Sequence, residues 1–112
     1  MIEQILTNIN VPYRETRFAK VPSDAPVFAV YDRRVRRQGG DMNPAYKLTE
    51  ATIYLYGRLP EDLDEAEACL EVELDNIWDK LTSDGWERFP RTWIDDVNVF
   101  CTIYSFTYKH KR

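Results

Sequence analysis

The spacing of apolar residues changes along the chain between the 3.6-residue period of a helix and the two-residue period of a strand. At the amino end, Ile2, Ile5 and Leu6 follow the helical period and predict a short amphipathic helix. Strand patterns follow in YRETRFA, PVFAVYD and YKLTEATIYLYGR, and the last of these alternates from Leu48 to Tyr56. The segment VPSDAP contains two prolines and predicts a loop between the first two strands.

The clearest helical pattern lies between Leu59 and Gly85. Its apolar residues form one stripe of a long helix: Leu63, Ala66, Leu70, Leu74, Ile77, Trp78 and Leu81. Asp62 followed by Glu65 predicts a capping box at the start, and Gly85 is placed to end the helix in a left-handed conformation. Glu67 lies near the edge of the stripe.

Two further strands are predicted in WERFPRTWID and VNVFCTIYSFTYKH, with Asp95 and Asp96 in the turn between them. The last strand carries apolar bulk on both faces, which favours a central position in the sheet or a contact between subunits. The element order is α-β-β-β-α-β-β. It predicts an α+β fold in which a mainly antiparallel sheet of four to five strands packs on one long helix, with a short N-terminal helix. The 112 residues are expected to form one domain, residues 1–112.

Charge is distributed unevenly along the chain. The net charge is −4, yet residues 59–96 contain thirteen acidic and three basic side chains, whereas residues 1–58 contain nine basic and six acidic ones. Opposite charges on different elements allow a chain to pair with copies of itself or with a charged partner. The alternative is that both faces are simply solvated.

The densest cationic run lies between two predicted strands, in YDRRVRRQGGDMNPAYKL. A hairpin with an oversized, mobile basic loop at about 33–45 is therefore expected. Because arginine binds carboxylates through a planar fork, this loop is the candidate assembly site. The candidate loop residues are Arg33, Arg34, Arg36, Arg37, Gly39, Gly40 and Asp41. The candidate acidic partners on the long helix are Glu61, Asp64, Glu65, Glu71, Asp75 and Asp79.

The sequence contains no recognisable motif of a catalytic or metal-binding site. The single histidine, His110, lies in the basic tail, and there is no CxxC pair and no glycine-rich phosphate loop with its Lys-Ser/Thr. We therefore expect no enzymatic activity, no cofactor and no metal. Cys69 and Cys101 lie in apolar patterns and are expected to be buried free thiols. No apolar run reaches the roughly 20 residues that cross a bilayer, so no membrane partner is expected.

A small nucleic-acid-binding module is the alternative function. The arginine-rich loop can contact phosphates, and tyrosine or tryptophan can stack on bases. The pI of about 5.0 is against this interpretation, because nucleic-acid-binding domains usually present a basic face. No specific nucleic acid is expected as a partner.

Two segments resemble the tail-completion, or tail-terminator, proteins of long-tailed bacteriophages and prophages. ATIYLYGRLPEDLDEAEACLEVELD is similar to the family's strand ending in a Leu-Tyr pair, followed by a charged turn and an acidic helix with spaced leucines. WIDDVNVFCTIYSF is similar to the family's final strand, with Val99, Phe100, Ile103 and Tyr104 at the matching apolar and tyrosine places. The arginine-rich loop departs from the more neutral or acidic loop of many members.

The resemblance implies a structural virion protein that ends the tail tube and joins it to the head connector. Such proteins form a ring, commonly a hexamer, and their partners are further copies, the tail-tube protein and the head connector or completion protein. The implied location is the head–tail junction of the virion, after assembly in the bacterial cytoplasm. A neighbouring head-completion protein of similar size fits the same pattern.

Overall fold

The computed structural model describes residues 1–16, 25–35 and 46–111. Its helices are α1 (Ile2–Asn8) and α2 (Pro60–Asn76), and a short 3₁₀ helix (Trp78–Lys80) follows α2. Its strands are β1 (Tyr13–Glu15), β2 (Val27–Val35), β3 (Tyr46–Gly57), β4 (Leu81–Arg88), β5 (Thr92–Ile94) and β6 (Val99–Lys111). The fold is α+β, as the sequence predicts.

The six strands form one mixed sheet in the order β1-β2-β3-β6-β4, with β5 also paired to β6. Strand β1 pairs with β2 in the parallel direction, and the other strand pairs are antiparallel. The sheet therefore has more strands than the predicted four to five. The prediction of a central last strand is confirmed, because β6 lies between β3 and β4.

The predicted hairpin of the second and third strands is confirmed as an antiparallel β2–β3 pair. Its register extends from Val27 opposite Gly57 to Val35 opposite Thr49. Alternation along β2 directs Ala29 and Tyr31 into the core, where both are buried. On β3, Ile53 belongs to the same face and is fully buried.

The hydrophobic core receives side chains from both helices, not from the long helix alone. Ile2 and Leu6 of α1 and Leu63, Leu70 and Leu74 of α2 are fully buried in one cluster with the sheet. At Gly57, β3 packs tightly against α2, because a Cβ at this position would lie 2.9 Å from the Cβ of Leu63. A glycine here lets the first turn of α2 pack directly against the strand.

The predicted end of the long helix is wrong. Helix α2 ends at Asn76, and Leu81 is the first residue of β4. The segment TSDG has poor helix propensity, and pairing with β6 offers its backbone a ladder of hydrogen bonds instead. Gly85 does have a positive φ of 65°, but it lies within β4 beside a register shift rather than at a helix end. The predicted capping box is also absent, because Leu59 is the N-cap and no side chain caps it.

The predicted strand WERFPRTWID is divided in two. Strand β4 ends at Arg88, and β5 begins at Thr92. Pro90 lies in the break, where it has no N–H to donate to a ladder. The following turn agrees with the prediction, because the backbone N–H of Asn98 donates to the carbonyl of Asp95 over 3.3 Å.

Candidate assembly surfaces

The predicted arginine loop begins later in the chain than expected. Strand β2 continues through Arg33 and Arg34 to Val35, because its antiparallel pairing with β3 is unbroken to that point. The start of the loop at about residue 33 is therefore corrected, and two of its four arginines are strand residues. Arg36, Arg37, Gly39, Gly40 and Asp41 lie outside the described residues.

Arg33 is part of a network that links α1, β1 and β2. Its Nη1 lies 3.0 Å from Glu3 and its Nε donates to Glu15 over 3.1 Å. The hydroxyl of Tyr31 donates to the same Glu3 over 3.0 Å, and the Arg33 guanidinium lies 5.9 Å from the Tyr31 ring centre. Arg33 therefore has an internal structural role.

Protonation in this network follows from burial and these contacts. Burial, followed by the hydrogen bond to Glu3, raises the pKa of Tyr31 to about 12. For Glu3, burial acts to raise the pKa. Hydrogen bonds, including the one from Tyr31, and the charge of Arg33 outweigh burial and lower it. The Glu15 hydrogen bond raises the pKa of Arg33 despite partial burial.

Arg34 points to the opposite face of the sheet. Its Nη2 donates to Glu50 over 2.8 Å, and its side chain is 82% exposed. Val35, the next residue, is 61% exposed. Ion pairs as exposed as Arg34–Glu50 contribute only about 0–1 kcal/mol, so the guanidinium can exchange its partner at little cost.

Five of the six candidate acids lie on α2, Asp79 lies in the 3₁₀ helix that follows it, and three of the six bind groups of their own chain. Asp64 accepts from Arg91 over 2.6 Å, Glu71 accepts from the Tyr104 hydroxyl over 2.7 Å, and Asp75 accepts from the Trp86 indole over 2.9 Å. The other three are exposed and make no ion pair within residues 1–16, 25–35 and 46–111: Glu61, Glu65 and Asp79. The acidic face of α2 is thus partly structural and partly open.

Glu67 is the charged residue whose role sequence reasoning missed. It is 5% exposed and lies between α2 and the sheet. It accepts from Arg88 over 2.7 Å, from Arg91 over 2.8 Å, and from the hydroxyl of Thr102 on β6. The available signal was its position beside the apolar stripe, but the two arginines lie more than 20 residues away and no local pattern identifies them.

The Glu67 network also changes the protonation of its neighbours. The hydrogen bond to Asp64, and then the one to Glu67, raises the pKa of Arg91, so this arginine stays charged. Burial and the hydrogen bond to Glu71 raise the pKa of Tyr104. The arrangement joins helix and sheet through charge-assisted hydrogen bonds. It presents no unpaired nucleophile or base.

A groove lies between the end of α1, the start of β2 and α2. It has a volume of about 560 Å³, and its floor is largely apolar: Ile9, Val11, Pro12, Pro26, Val27 and Ala66. Asp62 and Glu65 provide negative charge along α2, and Cys69 lies in the same groove. A second depression of about 360 Å³ shares Ile9 and Cys69 and extends past Val72 and Glu73. Together they form one acidic-edged apolar surface, which we call the helix groove.

The two cysteines differ in exposure. Cys101 is buried, as predicted, and burial raises its pKa to about 11. The prediction for Cys69 is wrong, because this thiol is exposed at the helix groove. Both are free thiols.

The sheet face opposite the helices carries an aromatic row. Phe28 on β2 stacks on Tyr56 of β3 with 5.1 Å between ring centres, and the Arg58 guanidinium lies 5.8 Å from the Phe28 ring. Phe28 is only 3% exposed. Burial, followed by the proximity of Cys101, raises the pKa of Tyr56 to about 12. These side chains cover one another, which leaves little of the row open to a ligand.

Metal ligands do not converge in the part of the chain that the structure describes, where no group of three or more His, Cys, Asp or Glu side chains is placed to hold an ion. Among the same residues, neither helix has the length and apolar character needed to span a bilayer. Comparison with known protein families and with curated proteins finds no significant match to this chain.

Proposed function

We propose that the protein is a structural virion subunit that forms an oligomeric ring, ends a phage tail tube and joins it to the head connector. One observation carries the proposal. Exposed basic and acidic side chains lie on different elements. Arg34, with the exposed Val35 beside it, lies at the end of β2, whereas Glu61 and Glu65 lie on α2. A contact between two different surfaces is heterologous, and a heterologous contact closes into a ring when its rotation permits.

The resemblance to tail-terminator proteins supports the same proposal. The segment similar to that family's strand and acidic helix corresponds to β3, the turn at Arg58 and Leu59, and α2. The segment similar to its final strand corresponds to β5, the turn at residues 95–98, and β6. In the proposed subunit α2 is the main cover of the sheet, with Leu63, Leu70 and Leu74 directed into the core. The proposed ring presents its outer surfaces to the tail-tube and connector proteins.

The test replaces the exposed Arg34 together with the two arginines that follow it in the cationic run. Arg33 is retained, because its ion pairs to Glu3 and Glu15 link β2 to α1 and β1. The variant replaces Arg34, Arg36 and Arg37 with serine. The matched control replaces three exposed lysines, Lys47, Lys80 and Lys109, with serine and removes the same charge.

Light scattering and negative-stain electron microscopy are then compared over a range of protein concentrations. We expect rings from the wild type and the lysine control, and a folded monomer from the arginine variant. Rings that persist in the arginine variant contradict the role of these side chains. A wild type that stays monomeric and is retained on DNA in a salt-dependent manner supports the nucleic-acid-binding alternative instead.

A further inference from the structure

The helix groove has the chemistry of a site for a short apolar segment with positive charge. Its floor contains Val11, Pro26 and Val27, and Asp62 and Glu65 lie along one side. Cys69 and the 58% exposed Val72 continue the apolar surface along α2. An apolar surface with an acidic edge favours an apolar side chain flanked by cations.

The end of β2 carries that combination. Val35 is the most exposed of the large apolar side chains in the described residues. The neighbouring Arg34 is 82% exposed, and among the described residues its guanidinium forms an ion pair with Glu50. Strand alternation directs the two side chains to opposite faces, so Val35 can contact the apolar floor while the longer Arg34 side chain reaches the acidic edge of the helix groove.

Distance prevents this contact within one molecule. Val27 lines the helix groove and is the first residue of β2, whereas Val35 is the last. Eight residue steps of about 3.3 Å separate the two by roughly 26 Å. Because the strand is fixed in the sheet by its pairing with β3, Val35 cannot bend back to its own groove. A β2 end that occupies the groove must therefore belong to another molecule.

We propose that Arg34 and Val35 of one copy dock in the helix groove of the next copy, with Val35 on the apolar floor and Arg34 beside Asp62 and Glu65. The inference rests on the proposed function and specifies the surface through which the ring closes. The apolar contact supplies burial, and the charges select the partner surface and its orientation.

The native Cys69 provides a direct test, because it is an exposed thiol inside the proposed groove, whereas Cys101 is buried. One chain carries Val35→Cys together with Cys69→Ser, so that its exposed thiol lies at the β2 end. The other is the wild type, whose exposed thiol lies in the groove. The two chains are dissociated, mixed, reassembled and oxidised, and covalent products are separated on a non-reducing gel.

A disulfide-linked pair that forms in the mixture and in neither chain alone is the expected result. A control mixture uses Lys80→Cys with Cys69→Ser, which places a thiol at an exposed position outside the groove, and should give no such product. Crosslinking of the Val35→Cys chain with itself overturns the proposal, because it places two β2 ends in contact.

The remaining outcomes separate this contact from the proposed function. Oligomers that scatter as rings but give no mixed crosslink overturn the docking of Val35 and leave the ring-forming role intact. A chain that stays monomeric at every concentration, with no crosslink, overturns both.

Discussion

At the residue scale, Glu67 is a buried charged side chain that joins α2 to the sheet. A carboxylate at 5% exposure is stable only when its charge is balanced and its oxygens accept hydrogen bonds. Arg88, Arg91 and Thr102 satisfy both requirements. The neighbouring Asp64 binds the same Arg91, but its side chain is 66% exposed, so water can replace that partner.

We expect Glu67→Gln to lower the free energy of unfolding by about 2 kcal/mol, because it leaves Arg88 and Arg91 without their buried counter-charge. Asp64→Asn is the matched control and should cost about 0.5 kcal/mol or less. Urea unfolding followed by circular dichroism measures both. Equal costs for the two variants would contradict a special role for the buried carboxylate.

Gly85 permits a left-handed backbone conformation and the close packing of the Trp78 ring on β4. Its φ is 65°, and a Cβ there would lie 2.1 Å from the ring of Trp78. We expect Gly85→Ala to cost about 1–3 kcal/mol, from the left-handed backbone and the clash together. In a Trp78→Ala background the clash is absent and the cost should be smaller. A double-mutant cycle of thermal unfolding measures the difference, and strictly additive costs would show that the ring does not matter.

At the element scale, the two sides of α2 differ in burial: one packs in the core and the other is exposed to solvent. The inner side contributes Leu63, Leu70 and Leu74 to the core, and the outer side exposes Val72 and four of the eight carboxylates of α2. Its acidic first turn, with Glu61 and Asp62, complements the positive end of the helix dipole. The same helix therefore stabilises the fold and presents the acidic edge of the helix groove.

Truncation of an inner leucine should be far more costly than truncation of an outer valine. Leu70→Ala creates a cavity at a fully buried position and is expected to cost about 2–5 kcal/mol. Val72→Ala lies on the same helix at 58% exposure and should change stability by about 0.5 kcal/mol or less. Chemical denaturation of both variants tests the assignment of the two sides, and similar costs would contradict it.

At the scale of the whole molecule, the first residue of β2 lines the helix groove, whereas its last two residues are exposed to solvent. Val27 lies beside the helix groove, and Val35 lies about 26 Å away beside the exposed Arg34. A subunit with complementary surfaces at opposite ends of one strand can join to its neighbours without a change of fold. The Arg33 network at the same end keeps the strand attached to α1 and β1.

The stability of the whole fold should decrease at alkaline pH. Burial raises the pKa of Tyr31 and of Tyr56 to about 12, above the ordinary value of about 10. The unfolded chain therefore releases these protons at lower pH than the folded chain. Their contribution to stability is complete below about pH 10 and is lost as the pH rises through about 12.

Urea unfolding at a series of pH values, with the phenolate absorbance recorded in parallel, measures this loss. Tyr56→Phe removes one of the two groups and should make the decrease shallower than in the wild type. Tyr13→Phe removes a hydroxyl from a half-buried tyrosine on β1 and serves as the comparison. An identical pH dependence in the wild type and Tyr56→Phe would contradict the role of Tyr56.

Much of the fold was predictable because its signals are local. The periods of Ile2, Ile5 and Leu6, and of Leu63, Leu70 and Leu74, correctly identify both helices and their buried sides. The alternation from Leu48 to Tyr56 identifies β3. The helix end was missed because Ile77, Trp78 and Leu81 continue the stripe by spacing alone, whereas pairing with β6 decides where β4 begins.

The candidate surfaces were less predictable, because charge along a sequence does not show where a side chain points. Arg33 and Arg34 are adjacent in one cationic run, yet strand alternation places them on opposite faces, one within a network and one exposed. Asp64 and Glu65 are adjacent acids on α2, yet only the first meets Arg91. A distant partner determines each of these differences.

The sequence by itself determined the type and order of most elements and the separation of basic from acidic segments, since side-chain period and composition act within a few residues. Only the tertiary structure decided that Glu67 is a buried counter-ion, that Cys69 is exposed, and that α1, β2 and α2 enclose a groove. Those outcomes depend on residues brought together across the sheet, and contacts between residues far apart in sequence leave no periodic signal in the chain.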